Sequence, residues 1–223
     1  QMVKAGCKYC LVETTSEGIK QWRHKGIDYD TAVFTNLTPE HLQAHGNFEA
    51  YKKTKGKLFA SLAKSKRKII GGQKIKKLIV VNNDSSHKDY FLNFEADKKI
   101  TFGFGEGADY TAENIKADTI GVSFSVRGES YRLGIMGIFN VYNAMPAVIV
   151  GYEAGLSAEA ILKGLAYLKL IPGLVELMDE GQGFTVIVDY AHEKESMKVL
   201  LEMALAMKPT SAKIIVLLGA EGG

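Results

Sequence analysis

Short apolar runs alternate along this chain with longer stretches of helical periodicity, and that alternation restricts the fold more than any other feature. Residues 7–13, 32–35, 78–82, 100–104 and 185–188 read as strands, and 214–218 as another running into glycines. Between them, apolar residues recur three and four apart over 47–63, 140–154, 157–168 and 193–207, the spacing of one helix face. In the last of these, Met197, Leu200, Leu201, Ala204 and Leu205 form an expected buried stripe. Gly155 stops one helix, Ser157 can cap the next, and Leu156 with Ile161 fits a hydrophobic staple. Residues 120–126 and 131–135 flank Arg127-Gly128-Glu129 as a hairpin, and GFGEGAD (103–109) reads as a glycine-rich turn. Strands alternating with helices predict an α/β fold with a largely parallel sheet, and Pro172-Gly173 predicts a boundary between 1–172 and 173–223.

Charge and cysteine exclude some functions. Net charge is +3, but residues 52–77 carry 11 basic side chains (ten Lys and Arg67) and no acidic one, leaving the remainder net negative. Such a run can bind phosphate or nucleic acid, yet it also reads as a solvated helix face. No aromatic residues interleave with its distal lysines, so no nucleic-acid partner is expected. Cys7 and Cys10 lack the second ligand pair of a zinc site, and on a strand they would face opposite sides. Two unpaired thiols, no apolar h-region at the start and no apolar run near the roughly 20 residues of a membrane span point to a cytoplasmic protein outside the membrane.

The chemistry concentrates between residues 13 and 59. Glu13 stands at an expected strand end, where ligands gather in open α/β sheets. His41 follows a second strand end. Tyr51, Lys55, Leu58 and Leu62 then form one helical stripe, placing Lys55 among apolar neighbours. A lysine there must be paired, neutral or modified. A neutral lysine can take up carbon dioxide to give an anionic carbamate, and Glu13, His41 and carbamylated Lys55 would then surround a divalent ion. The same residues also fit a snorkelling lysine, a helix-start histidine and an ordinary strand-end carboxylate.

The stretch VFTNLTPEHLQAHGNFEAYKKTKGKLF (33–59) resembles the signature of the Mur ligases: T-N-L, an acidic residue before His-Leu, a His-Gly, then Tyr and Lys before Leu-Phe. Further segments are similar in the same order: VETTSEGIKQWR (12–23), VVNND (80–84), TFGFGEGADYTAENI (101–115), GIFNVYNAMPAV (137–148) and FTVIVDYAH (184–192). The segment TFGFGEGADYTAENI (101–115) most resembles the UDP-N-acetylmuramyl-tripeptide synthetases. The resemblance implies a Mur-type central ATP-binding domain over 1–172, a mostly parallel sheet flanked by helices with a small antiparallel region. It implies the start of a Rossmann-like C-terminal domain over 173–223.

It also implies an activity. Such enzymes phosphorylate a substrate carboxylate with ATP, and an amine then attacks the acyl phosphate; both steps build charge on oxygens. By resemblance, Glu13, His41 and carbamylated Lys55 hold Mg2+, with Lys55 and His41 catalytic. Asn140, Asn143 and Asp189 contact ATP, and Thr15, Gln21 and Arg23 contact UDP-N-acetylmuramoyl dipeptide. The amine donor is a diamino acid, and a monomer is expected. His192 is expected to support its loop and His45-Gly46 to form a turn. Asn140 equally fits a helix N-cap.

Departures from the family pattern matter too. No G-x-x-x-x-G-K-[ST] loop occurs, and the resemblance places the family's phosphate loop and N-terminal domain upstream of these residues. The 223 residues are therefore expected to be a fragment without ligase activity by themselves. Thr15 and Glu17 replace a usual serine and histidine, and Pro172-Gly173-Leu174 lacks an arginine expected near the transferred phosphate. A relative that has lost catalysis, another ligase of the superfamily (adding D-Ala-D-Ala, or glutamate to folate) and an unrelated basic binding module remain the alternatives.

Overall fold

The computed structural model describes residues 1–39 and 45–219. Over these, the chain divides into two compact units. The first comprises Gln1–Ala32, Pro39–Ile79 and Asp89–Lys99; the second comprises Val33–Thr38, Val80–Lys88 and the chain from Ile100 onward.

In the first unit, α1 (Ser16–Lys20) begins at Thr15, whose hydroxyl accepts the Gly18 N–H at 3.0 Å. The longer α2 (Phe48–Lys64) begins at Asn47, whose side chain accepts the Ala50 N–H at 2.9 Å. It buries Tyr51, Thr54, Gly56, Phe59 and Leu62. The Phe59 ring lies 4.8 Å from that of Phe91 in α3 (Lys88–Leu92). Gly56 has no room for a side chain, because Tyr90 and Phe94 press against it. A small hairpin, β2 (Ile69–Ile70) and β3 (Gln73–Lys74), turns through Gly71 and Gly72 at φ 58° and 79°, as a tight hairpin turn requires.

A lysine lies in this unit's interior. Lys77 is 0% exposed, and its ammonium donates to the carbonyls of Tyr29 and Lys66 and to the Asp30 carboxylate. Three oxygen acceptors make that burial tolerable. Asp30 also pairs with Lys68, and Arg67 grips both Asp97 oxygens through its two terminal guanidinium nitrogens. Lys52 pairs with Glu49. Four of the eleven basic residues of the 52–77 run thus meet acidic partners from outside it.

One four-stranded sheet has the order β1-β4-β5-β6. Its strands are β1 (Thr31–Phe34), β4 (Leu78–Asn82), β5 (Lys98–Gly103) and β6 (Tyr110–Thr111). All five residues of β4 are buried, and β5 runs parallel to β6. In the second unit, β7 (Glu113–Asp118), β8 (Gly121–Val126) and β9 (Glu129–Leu133) form an antiparallel sheet with Phe124 opposite Tyr131. The β8–β9 turn is Arg127-Gly128 at φ 51° and 82°. Helix α4 (Phe139–Glu153) packs through Val141, Met145, Val148 and Ile149, and α5 (Ala158–Tyr167) is capped by Ser157. Last come β10 (Glu176–Met178), antiparallel to β11 (Val186–Val188), and α6 (Lys194–Met207).

Three expectations fail. Residues 7–13 form no strand, and Leu11 is 97% exposed. An apolar run nominates a strand, but a strand also needs a neighbouring edge and a face to cover it. Residues 214–218 likewise form no strand, and Ile215 is 94% exposed. Helix α6 forms as expected, yet none of its residues is buried: Met197, Leu200, Leu201 and Ala204 are only half-covered and Leu205 is exposed. Cys7 and Cys10 are both free and exposed. No helix of the described residues is long and apolar enough to cross a membrane.

Candidate functional site

In the first unit, Glu13 is exposed on the segment entering α1, and Thr15 spends its acceptor on the helix cap. Gln21 closes α1 as its C-cap, and Arg23 follows on the exposed turn, its N–H bonded to the Gly18 carbonyl at 2.9 Å. Between them Trp22 has φ 61°, with the Lys25 ammonium 3.8 Å from its ring centroid. His24 is buried, and burial, then the nearby charges of Lys25 and Lys57, lower its pKa. His45 is not merely a turn residue: its ring is buried, its Nε2 lies 2.9 Å from the Ser16 hydroxyl, and Gly46 makes the turn at φ 78°.

Lys55 is half-buried on α2, its ammonium 5.2 Å from the Tyr51 ring centroid. The helix buries Thr54 and Phe59 more fully than Lys55 and Leu58, so Lys55 stands at the margin of the apolar face. His41 lies outside the described residues. Among the described residues, no three His, Cys, Asp or Glu side chains converge as a metal cluster. The Lys55 ammonium itself offers no lone pair to a cation.

In the second unit, the end of β4 meets the glycine-rich turn after β5. The Asn82 side chain donates to the Thr35 carbonyl and accepts the Asp84 N–H, both at 2.9 Å. The Asn83 N–H donates to the Phe102 carbonyl at 2.7 Å, setting the two strand ends side by side. Asp84 then accepts three donors: the N–H groups of Phe104 at 2.6 Å and Gly105 at 3.3 Å, and the Tyr142 hydroxyl at 2.7 Å. Burial, then the bonded Asp84 carboxylate, pushes the Tyr142 phenol well above its ordinary pKa. The Tyr142 ring stacks on Phe104 with centroids 3.8 Å apart. This cluster escaped sequence reading, which took Gly103 and Gly105 only as turn residues. The signal was the acidic residue closing VVNND, because glycines leave room for a carboxylate that no local pattern reveals.

Asn140 is not the N-cap. Ile138 holds that position without a side-chain bond, and Asn140 lies inside α4 at 2% exposure. Its amide donates to the Met136 carbonyl at 2.6 Å and accepts from the Asn143 amide at 3.0 Å. Asn143 is exposed, so of the two it presents the accessible amide. Asp189 accepts the Val175 N–H at 2.7 Å on one oxygen and the Ala191 N–H at 2.6 Å on the other. His192 Nδ1 lies 2.9 Å from the Tyr190 carbonyl, which makes it a support for that loop.

The chain belongs to the Mur ligase family: the pattern of the Mur ligase middle domain matches residues 1–151. Across 99% of its length it is 34% identical to the UDP-N-acetylmuramoyl-L-alanyl-D-glutamate–2,6-diaminopimelate ligase of Geobacillus kaustophilus, covering 45% of that protein. It is 33% identical to the corresponding L-lysine ligase of Staphylococcus aureus, over 100% of this chain and 44% of that one. A solved structure of a UDP-N-acetylmuramoyl-L-alanyl-D-glutamate–2,6-diaminopimelate ligase matches with a TM-score of 0.72 at 27% identity, covering 93% of this chain and 42% of that chain. The chain thus spans less than half the length of the relatives it matches.

Proposed function

We propose that these residues are the central part of an ATP-dependent ligase of peptidoglycan precursor synthesis. The protein they serve adds a diamino acid to UDP-N-acetylmuramoyl-L-Ala-D-Glu in the cytoplasm, as a monomer, through an acyl phosphate. The carrying observation is identity over nearly the whole chain to two ligases named for that reaction, 34% and 33%. Residues 1–172 form its ATP-binding domain and 173–223 begin the next. Asn140, Asn143 and Asp189 are assigned to ATP; the exposed amide of Asn143 suits a base edge, while Asn140 holds that amide in place. Thr15, Gln21 and Arg23 are assigned to the muramyl dipeptide, and Arg23 suits an anionic oxygen by a two-pronged contact.

Glu13, His41 and carbamylated Lys55 are the residues that would hold Mg2+. Carboxylate, imidazole and carbamate are suitable donors, and Lys55 is half-buried beside Tyr51. When bound, the ion supplies positive charge to phosphate oxygens. The chain's own residues place the carboxylate, keep Lys55 partly away from water and present the Asn143 amide.

The test is turnover by the full-length protein. Inorganic phosphate and a muramyl tripeptide should appear only when ATP, Mg2+, the muramyl dipeptide and either meso-diaminopimelate or L-lysine are all present. The preferred amine identifies the added residue. A second reading, a relative that binds nucleotide without catalysis, is favoured by Leu174, whose half-buried side chain stands where the family pattern has arginine. ADP binding without phosphate release would establish it instead.

A further inference from the structure

The start of α4 lacks a side-chain cap, and the helix carries a proline in its interior. Ile138 provides no side-chain cap, and Pro146 has no N–H to give to the Tyr142 carbonyl four residues earlier. Asn143 sits in this stretch. Side-chain bonds add to the backbone bonds and buried packing there: Asn140 to the Met136 carbonyl at 2.6 Å, and Tyr142 to Asp84 at 2.7 Å. Asp84 lies beyond the carboxyl end of β4 and also holds the turn that follows β5, through the N–H groups of Phe104 and Gly105. Ligands of open α/β sheets gather at such strand ends.

We propose that Asp84 is a positioning residue for the nucleotide base, acting through Tyr142 and the Phe104 ring stacked on it. This rests on the ATP-ligase reading above. The carboxylate joins three segments that differ widely in sequence: a strand end, a glycine-rich turn and the start of the asparagine-bearing helix. A carboxylate accepts all three donors at once. The Phe104 N–H and the Tyr142 hydroxyl share one oxygen and the Gly105 N–H takes the other, so an amide that keeps the first two must turn its NH2 toward Gly105, and Asp84→Asn breaks part of the junction while keeping its volume. Gly103 shows how closely the junction is fitted, since a Cβ there would stand 2.6 Å from an Asp84 oxygen. With the junction broken, the Asn143 amide loses its fixed place, and the cost falls on the purine end of the nucleotide.

The experiment uses the full-length protein and compares wild type, Asp84→Asn and Tyr142→Phe. Tyr142→Phe keeps the stacked ring and removes only the hydroxyl, so it remains informative if Asp84→Asn folds poorly. Expected is a rise in the KM for ATP of roughly threefold or more for each variant, with the KM for the muramyl dipeptide within about twofold. ADP affinity, measured directly by calorimetry, should fall by the same factors, whereas inorganic triphosphate, which has no base, should bind each variant equally. An unchanged KM for ATP in both folded variants, or equal weakening of triphosphate and ADP, overturns the proposal. Wild-type protein that binds ADP without turnover removes the ligase reading but leaves the positioning role testable by the calorimetric arm. Wild-type protein that does not bind ADP removes both.

Discussion

The Asp189 carboxylate accepts the backbone N–H of Val175, 14 residues earlier, at 2.7 Å, and Val175 sits in the left-handed region at φ 49°. A β-branched residue resists that conformation, so the carboxylate helps to hold a strained turn. The Tyr190 N–H adds a bond to the Gly173 carbonyl at 2.8 Å. Leu174, standing where the family pattern has an arginine, belongs to this same turn. An ATP contact and a structural staple can coexist on Asp189, because a carboxylate has about four lone-pair sites.

Asp189→Ala should therefore unpin residues 171–176. Stability should fall by about 1–3 kcal/mol, the usual cost of stranding a part-buried donor. Limited proteolysis should show new cleavage near Leu174. Unchanged stability and an unchanged cleavage pattern would show that the turn holds itself.

Acid should weaken the first unit through Asp97. The Arg67 guanidinium, then the Lys77 backbone N–H, hold the Asp97 carboxyl down to about 2. A carboxyl depressed in the folded state stabilises that state above its unfolded pKa, near 3.9, and loses the contribution as pH falls toward 2. The urea midpoint of wild type should therefore drop as pH falls through this window. Arg67→Ala should start lower at neutral pH and show a shallower fall.

Lys77→Met tests the buried ammonium. Methionine nearly matches the stem, but the carbonyls of Tyr29 and Lys66 lose their donor and Asp30 keeps only Lys68. Removing one partner of a buried ionic network costs about 3–5 kcal/mol. Thermal unfolding checks this. A variant as stable as wild type would mean that the ammonium is no better than an apolar filler.

Gly121→Ala tests a steric limit. Gly121 has φ 157°, and a Cβ there would run into the backbone carbonyl of Leu133 on the paired strand. Backbone cannot yield as a side-chain end can, so the β7–β8–β9 sheet should lose at least about 2 kcal/mol. Gly107→Ala makes a useful contrast: its positive φ of 85° is similarly unfavourable, but nothing lies within 4 Å of its Cβ. A smaller loss there separates collision from backbone strain.

Native mass spectrometry of the full-length protein in bicarbonate at mildly alkaline pH tests Lys55. A labile adduct of one carbon dioxide should appear in wild type and be absent from Lys55→Ala. Its absence from wild type, even with Mg2+ and ADP present, would remove the carbamate from the proposed ion site.

Local physics made much of the architecture readable. Ser157 caps its helix, LIVVN is a fully buried strand, and Arg127-Gly128 turns a hairpin, because each depends on neighbours a few residues away. The order of site residue types was readable for the same reason: it is written linearly. Burial was harder. The stripe through Lys55 was legible, but whether Lys55 or Thr54 lies deeper depends on what packs against α2. Residues 7–13 and 214–218 carry strand-like patterns without a strand, because pairing requires an edge supplied from elsewhere.

The amino-acid order alone determined the α/β class, most helix limits and the family. Tertiary structure alone decided that Lys77 is enclosed by oxygens, that Asn140 serves the backbone at Met136, and that Asp84 joins a strand end, a glycine turn and Tyr142. The reason is range. Capping and periodicity act over about four residues of chain, whereas the bond from Tyr142 to Asp84 spans 58 positions and exists only once the fold has brought them together.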